Sequence, residues 1–173
     1  PFQKWFYLGP MFRYERPQKG RERQFQQFGV EVFGSSSPLL DAEIVDTAMQ
    51  FFEGLGFGPE PEARVNTMGD AEDRAAWRDT LRSFFAPGLD ARCEDCRARF
   101  ERNLFRLLDC KAEACQAANE GAPTLAAVLG KEGSAHHETF LAGLRALGRE
   151  PVADPSLVRG LDYYSRTVFE IHF

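Results

Sequence analysis

The chain has 173 residues, of which 43% are hydrophobic and 27% charged, and its formal net charge is −5. This length suits one domain, or one domain with a small insert, and no apolar run approaches the roughly 20 residues that a membrane-spanning helix needs. Residues 1–24 carry a charge of +4 and the rest carry −9, which argues against a general nucleic-acid coat and favours phosphate binding at one basic site. Because residues 1–8 show no signal-peptide pattern, we expect a cytosolic protein.

The first predicted element is a hairpin. An aromatic strand over residues 2–8 leads into it, and Pro17 and Gly20 lie where its loop should turn. On both sides of this loop polar residues recur at every second position, as they do in half-buried strands. If the register brings the two arms' polar residues to the same side, they line one wall beside a basic loop; these residues are Arg13, Glu15, Gln27 and Glu31. A charged surface hairpin without a ligand is the alternative.

Helices dominate the remainder of the chain. Pro38 suits a first helical position, and the apolar spacing predicts a helix of about 17 residues that ends near Gly56 and Gly58. Asp70 is a predicted N-cap for a helix that runs to Phe85. Further predicted elements are a strand over residues 62–68, a charged helix over 89–105, an Ala-rich stretch over 111–129 with a break at 121–123, a helix over 132–147, and strands at about 150–153, 156–159 and 166–172.

The four cysteines are Cys93, Cys96, Cys110 and Cys115, spaced as C-x2-C, a gap of 13 residues, and C-x4-C. Such clustering is compatible with a zinc site. The charged residues around Cys93 and Cys96, however, are typical of an ordinary helix, in which these two thiols would be neighbours on one turn. Structural or free thiols are therefore favoured over zinc, and disulfides are disfavoured in a cytosolic protein. We expect no bound metal.

Two segments resemble a known family. FRYERPQKGRERQF at residues 12–25 is similar to motif 2 of class II aminoacyl-tRNA synthetases, in the form typical of histidyl-tRNA synthetases, and LVRGLDYYSRTVFE at residues 157–170 is similar to that family's histidine-specific signature. The resemblance implies an α/β (α+β) fold, with a class II-like antiparallel sheet flanked by helices and a mainly helical insertion. Residues 1–68 would form the first part of the catalytic core, 69–130 the insertion, and 131–173 the return to the core.

The resemblance also implies an ATP site. Arg13 and Arg159 would be the catalytic cations and hold the α-phosphate together with the attacking carboxylate, because a guanidinium grips such oxygens at two points and keeps its charge. Glu15 would face the adenine end of ATP, and Arg21 would reach the γ-phosphate. A surface pair between Arg159 and Asp162 is the alternative role for that arginine.

A histidine pocket is implied in the same way. Gln27 would contact the α-amino group and Glu31 the imidazole ring, while Arg159 would hold the carboxylate. Tyr163 and Tyr164 would close the pocket, with Tyr164 the better candidate for an imidazole contact; simple packing of both tyrosines is the alternative. A pocket that pairs both ring nitrogens can reject apolar side chains of similar shape, since these would leave buried polar groups unpaired.

The implied activity is that of a histidine–tRNA ligase. Histidine would be activated with ATP and Mg²⁺ to histidyl-adenylate and then transferred to tRNA(His) by a cytosolic homodimer without a membrane partner. Segments similar to motif 1, motif 3 and the anticodon-binding domain do not occur in these residues, so we expect a piece of a longer synthetase that is inactive alone. The alternatives are a non-charging paralogue that binds histidine as a regulatory subunit of histidine biosynthesis, and a synthetase-like domain that binds uncharged tRNA. Such relatives characteristically lose the ATP arginines and the RGLDYY run, and both are present here.

Overall fold

A long antiparallel hairpin opens the chain. The computed structural model describes residues 1–14, 16–56, 61–159 and 164–173. In it, strand β1 (Gln3–Phe12) pairs with β2 (Gln24–Phe33) along the full length of both. The predicted aromatic strand and the first arm of the hairpin are thus one continuous strand. At the tip, Gln18 and Arg21 exchange backbone hydrogen bonds of 3.2 and 2.8 Å, and Gly20 takes a φ of 75°, which a glycine adopts without strain.

Helix α1 (Pro38–Gly54) lies against one face of this hairpin. Phe51 stacks on Phe28 of β2 at a centroid distance of 5.4 Å, and Lys4 of β1 forms an ion pair with Glu43. As predicted, the helix has Pro38 in its first turn. Gly56 follows its end with a φ of 69°; Gly58, the second predicted stop, lies outside the described residues.

A second sheet has the strand order β4-β3-β5, where β3 is Glu62–Thr67, β4 is Val152–Ala153 and β5 is Thr167–His172. Strand β3 runs antiparallel to β5 and parallel to β4. The strand predicted at residues 156–159 is wrong. Asp154 instead forms a turn in which its Oδ1 accepts from the backbone N and the Oγ of Ser156, at 3.0 and 2.6 Å, so the chain bends away before a strand can continue.

Three α-helices lie between β3 and the last helix: α2 (Ala71–Phe85), α3 (Glu94–Arg102) and α4 (Glu113–Ala117). Short 3-10 helices at Ala86–Ala91, Leu104–Leu107 and Leu125–Ala127 join them. The predicted N-cap of α2 is confirmed, because Asp70 accepts hydrogen bonds from the backbone N of Glu72 and of Asp73, at 2.8 and 2.9 Å.

The single helix predicted over residues 89–105 is wrong. The chain is extended at Arg92 and at Cys93, where ψ is 159° at both residues. Tertiary contacts hold this break open: the buried Arg92 guanidinium donates to the Asn119 side chain and to the carbonyl of Ala118, at 2.9 and 2.8 Å. The sequence predicted that Cys93 and Cys96 lie within one regular helix. Instead, Cys93 is the N-cap residue of α3 and Cys96 lies in its first turn.

Helix α5 (Lys131–Ala146) returns the chain to α1. The helix predicted over 132–147 is confirmed, and Gly148 follows it with a φ of 78°. Gly143 allows a close approach of the two helices, since a Cβ there would lie 3.0 Å from the Leu39 side chain and 3.1 Å from that of Ala42. Phe140 and Leu144 of α5 are fully buried against α1 and β3.

The larger core belongs to the helical segment, residues 71–127, which lies between β3 and α5. Trp77 lies at its centre, fully buried, stacked on Phe105 at 4.9 Å and donating to the carbonyl of Pro123 at 2.7 Å. This core also includes Leu157 and Val168, which lie beyond the predicted boundary at residue 130. The division into core and insertion at residues 68 and 130 therefore stays a prediction. Within the described part of the chain, no helix combines the length and apolarity needed to cross a membrane.

Candidate functional site

The strand register decides which polar residues of the hairpin lie together. Gln27 is opposite Gly9 and Glu31 is opposite Trp5, so both project from one face. Arg13 continues that face beyond β1: its backbone N donates to the carbonyl of Arg23 at 2.9 Å, and its guanidinium lies over the Phe25 ring at 4.3 Å. The register that the sequence left open is thus the one that brings Arg13, Gln27 and Glu31 to one wall.

This wall faces away from α1, because Phe28 and Lys4, which contact that helix, lie on the opposite face of the hairpin. Gln27 and Glu31 are exposed and Arg13 is half-buried. Besides its contact with Phe25, Arg13 donates from Nε to the carbonyl of Glu22 at 2.7 Å. The guanidinium is therefore positioned by the hairpin and remains accessible to an anion.

Tyr7 is a wall residue that the sequence analysis missed. Its hydroxyl accepts a hydrogen bond of 2.8 Å from Gln27 Nε2. Its ring lies across Gly29, where an added Cβ would come within 2.2 Å of it. A glycine inside an alternating strand often marks such a close approach. Gly29 was therefore the feature of the sequence that could have indicated a large side chain packed across this strand. Tyr7 consequently holds the Gln27 amide in place between Arg13 and Glu31.

The loop at the hairpin tip carries the predicted γ-phosphate ligand. Arg21 is exposed in the turn, close in sequence to Lys19 and Arg23, so the tip is locally basic. Glu15, predicted to face adenine, lies outside the described residues.

Arg159 lies in the segment after β4 and contacts strand β5 of the second sheet. Its Nη1 donates to Glu170 Oε1 at 2.8 Å and its Nη2 to the carbonyl of Phe169 at 3.1 Å. The Arg159 guanidinium lowers the pKa of the Glu170 carboxyl below its usual range; His172 adds to this, and partial burial opposes it. Arg159 therefore has a carboxylate partner on β5. Asp162, considered as its partner in the sequence, lies outside the described residues.

A cavity of about 720 Å³ surrounds this arginine. Its described lining includes Arg64, Lys111, Arg159, Glu170 and His172, and comes from the second sheet and from the helical segment. The structure thus joins three predicted ligands on the hairpin wall but does not bring Arg159 into a common cavity with them. Tyr163 lies outside the described residues, and Tyr164 is 38% exposed.

An apolar groove separates the two sheets above α1. It is lined by Phe28, Gly29 and Val30 of β2, by Phe169 of β5, and by Ile44, Thr47, Ala48, Phe51 and Phe52 of the helix. Phe169 points into this groove, so its neighbour Glu170 points to the opposite side, together with Arg159. The hairpin wall and the Arg159 cavity accordingly both lie on sheet faces turned away from α1.

The four cysteines converge within the helical segment. Their sulfur atoms all lie within 4.8 Å of one another, and Cys93 Sγ is 3.8 Å from Cys110 Sγ. A hydrogen bond from the backbone N–H of Cys96 lowers the pKa of Cys93 to about 7, whereas burial raises the pKa of Cys96. These thiols are the group among the described residues that could hold a metal ion.

Comparison with known proteins gives consistent results. The profile of the family described as "Histidyl-tRNA synthetase" matches residues 2–173. A histidine–tRNA ligase of Fervidobacterium nodosum is 48% identical over 170 residues, which cover 98% of this chain and 40% of that protein. A histidine–tRNA ligase of Moorella thermoacetica is 49% identical over 168 residues, which cover 97% of this chain and 40% of that protein.

A solved structure agrees with these sequence matches. The crystal structure of apo S. aureus histidyl-tRNA synthetase superimposes with a TM-score of 0.72 at 35% identity, and covers 97% of this chain and 38% of that one. The mixed α/β fold predicted from the sequence is confirmed. The chain spans about 40% of the length of the curated relatives that it matches.

Proposed function

The chain belongs to the histidyl-tRNA synthetase family, and we propose that the whole protein joins L-histidine to tRNA(His) by way of histidyl-adenylate. The observation that carries this proposal is the hairpin register, which presents Arg13, Gln27 and Glu31 on one accessible face beside a basic loop. A positive group for a nucleotide phosphate and polar groups for a small amino acid are thereby only a few strand positions apart.

Arg13 is suited to the first chemical step. The histidine carboxylate attacks the α-phosphorus of ATP, pyrophosphate leaves, and negative charge accumulates on the phosphoryl oxygens. A guanidinium already positioned by Phe25 and by the carbonyl of Glu22 stabilises that charge without first reorganising. Arg21 at the hairpin tip would contact the γ-phosphate, and Glu15 the adenine. Mg²⁺ would enter with the nucleotide.

Histidine would lie along the same wall. Gln27, held by the Tyr7 hydroxyl, would contact the α-amino group, and Glu31 would accept a hydrogen bond from the imidazole. Tyr163 and Tyr164 would close the pocket. A substrate without ring nitrogens would leave Glu31 unpaired in a closed site, and that penalty provides discrimination.

Arg159 would complete the site by contacting the histidine carboxylate and the α-phosphate. It is bound to Glu170 in this chain, so it would exchange one anionic partner for another, which an arginine does readily because its planar fork fits carboxylate and phosphate alike. This exchange requires the hairpin wall and β5 to face one common space in the whole protein. Transfer to the tRNA, a homodimeric assembly and a cytosolic location belong to the same proposal.

Replacing each arginine by alanine in the whole protein tests these roles. We expect Arg13→Ala and Arg159→Ala each to reduce kcat/KM for histidine-dependent pyrophosphate exchange by the equivalent of about 2 to 4 kcal/mol, as for removal of one preorganised charge-stabilising donor. Arg102→Ala, which removes an exposed arginine of α3, is the matched control and should leave exchange unchanged. Undiminished exchange in either site variant would remove that residue from the mechanism.

The 173 residues alone provide a second test. We expect pyrophosphate exchange near background, because Arg159 contacts the second sheet, the hairpin wall belongs to the first, and the two do not line one cavity among the described residues. Robust exchange by this chain would show that these 173 residues suffice. Background exchange by the whole protein, with histidine binding retained, would instead indicate a non-charging relative.

A further inference from the structure

The four cysteines come from different parts of the helical segment and meet at one point. Cys93 is the N-cap residue of α3, Cys96 lies in its first turn, Cys110 follows a 3-10 helix, and Cys115 lies in α4. Three of these side chains are buried and that of Cys93 is half-buried. We propose that Cys93, Cys96, Cys110 and Cys115 bind one structural Zn²⁺ ion, although their spacing in the sequence alone favoured free thiols.

The distances fit tetrahedral coordination. Zn–S bonds of about 2.3 Å in a tetrahedron place neighbouring sulfur atoms about 3.8 Å apart. The separation of Cys93 Sγ and Cys110 Sγ is 3.8 Å, and all four sulfur atoms lie within 4.8 Å of one another. An ion can therefore be accommodated by side-chain shifts of well under about 1 Å, within the span that Zn–S geometry sets.

Two disulfides would produce a different pattern. Each would bring its sulfur atoms to about 2 Å and leave the two pairs apart, whereas the four sulfur atoms here form one compact group of free thiols. Free cysteines also pack in cores as small apolar groups. Apolar packing, however, does not require four thiols from three places in the chain to lie within 4.8 Å of one another.

The surroundings suit a negatively charged thiolate cluster. The backbone N of Cys93 donates to Cys115 Sγ at 3.3 Å, and the N-terminal end of α3 directs its partial positive charge toward Cys93. The cleft beside Cys93 and Cys110 is also lined by Lys111 and by two ion pairs, Arg99 with Asp95 and Arg106 with Asp109. Four thiolates around Zn²⁺ carry a net charge of −2, which the backbone donor, the helix end and Lys111 partly compensate.

A metal would also explain how this segment keeps its shape. Between residues 86 and 127 the helices have only 6, 9, 4, 5 and 3 residues. Helices this short are marginal without tertiary support, and small units with little regular structure are commonly held by metals or disulfides. Zinc at the cysteines would tie α3, the chain around Cys110 and α4 to one another.

The metal content of the whole protein tests this site directly. The protein is purified under reducing conditions with Zn²⁺ present, passed through a desalting column, and analysed by plasma mass spectrometry. We expect about one Zn²⁺ per chain, and on exchange with Co²⁺ the visible absorption of a tetrahedral tetrathiolate complex. Less than about a tenth of an equivalent of zinc, together with no Co²⁺ spectrum, would overturn the proposal.

Three variants locate the ion. Cys96→Ser should lose nearly all zinc, while Cys93→His should retain it with a changed Co²⁺ spectrum, because histidine can replace a cysteine ligand. Phe100→Leu alters the same helix and core without changing a ligand and should keep its zinc. Full zinc content in Cys96→Ser would place the ion elsewhere and overturn the assignment.

Thermal unfolding separates a structural role from incidental binding. A strong chelator should lower the unfolding temperature of the wild-type protein and of Phe100→Leu, and have no further effect on Cys96→Ser. An unfolding temperature of the wild-type protein that does not respond to complete zinc removal would rule out the structural role.

Discussion

Large aromatic side chains face solvent in the hairpin but are buried in the helical segment: Trp5 is 60% exposed, whereas Trp77 is 0% exposed. The hairpin keeps its shape through backbone pairing between β1 and β2 and through contacts of one face with α1. The helical segment, by contrast, has short helices that pack around a common core. The hairpin thus exposes its side chains to solvent, whereas buried side chains hold the helical segment together.

This difference indicates that the hairpin serves ligand binding and that the helical segment contributes most to stability. On the hairpin, the wall of Arg13, Gln27 and Glu31 is accessible, so its residues are available to a ligand and contribute little to the stability of this chain. In the helical segment, three of the four thiols and the large apolar residues of the core are buried, so substitutions there act on folding first. An alanine substitution on the hairpin wall should therefore reduce ligand binding with little loss of stability. An alanine substitution in the core of the helical segment should reduce stability.

The largest expected effect compares the two tryptophans of the chain. Trp77→Ala removes a buried ring and its hydrogen bond to Pro123, and should lower the free energy of unfolding by about 3 to 5 kcal/mol. Trp5→Ala removes an exposed ring that makes an edge contact with Phe33, and should cost about 1 kcal/mol or less. Urea unfolding followed by far-UV circular dichroism measures both. Equal costs would show that the hairpin face is covered in solution.

A smaller effect is expected for two carboxylates that join elements. Asp73 is buried and accepts from the backbone N of Gly130 and of Asp70, at 2.7 and 3.0 Å, so Asp73→Ala leaves two donors unpaired and should cost about 2 to 3 kcal/mol. Glu43→Ala breaks an exposed ion pair with Lys4 and should cost about 0.5 kcal/mol or less. The same unfolding measurement applies, and a larger cost for Glu43→Ala would reverse the ranking of the two regions.

The smallest effect concerns Glu170, the partner of the catalytic candidate Arg159. Because Arg159 lowers the pKa of this carboxyl in the folded protein, the pair adds stability above the unfolded-state pKa, and this contribution disappears as pH falls through the folded-state pKa. The side chain is 43% exposed, so solvent screening limits the contribution at neutral pH to less than about 1 kcal/mol.

Glu170→Gln should therefore destabilise the protein slightly near neutral pH and not at all in acid, as measured by urea unfolding across a pH series. In an Arg159→Ala background the same substitution should have almost no effect. A cost of Glu170→Gln that is independent of pH, or that persists without Arg159, would show that the ion pair is not its source.

Much of the fold follows from local patterns in the sequence. The N-cap at Asp70, the first turn at Pro38, the stops at Gly56 and Gly148, and the alternation in β2 each depend on interactions across a few positions, and each is confirmed. The local pattern was wrong at residues 89–105 because of a distant residue: Arg92 leaves the predicted helix to bond with Asn119, 27 positions away. It was wrong at residues 156–159 because of a turn between Asp154 and Ser156.

The sequence by itself determined the family, the order of the main elements and the identities of the candidate ligands, because these reside in residue types and in short spacings. Only the tertiary structure decided that Arg13, Gln27 and Glu31 share a face with Tyr7, that Arg159 is paired with Glu170, and that four separate cysteines meet. Those outcomes depend on strand register and on the packing of elements that are far apart in the chain. Such long-range contacts form cooperatively, so they do not follow from local patterns in the sequence.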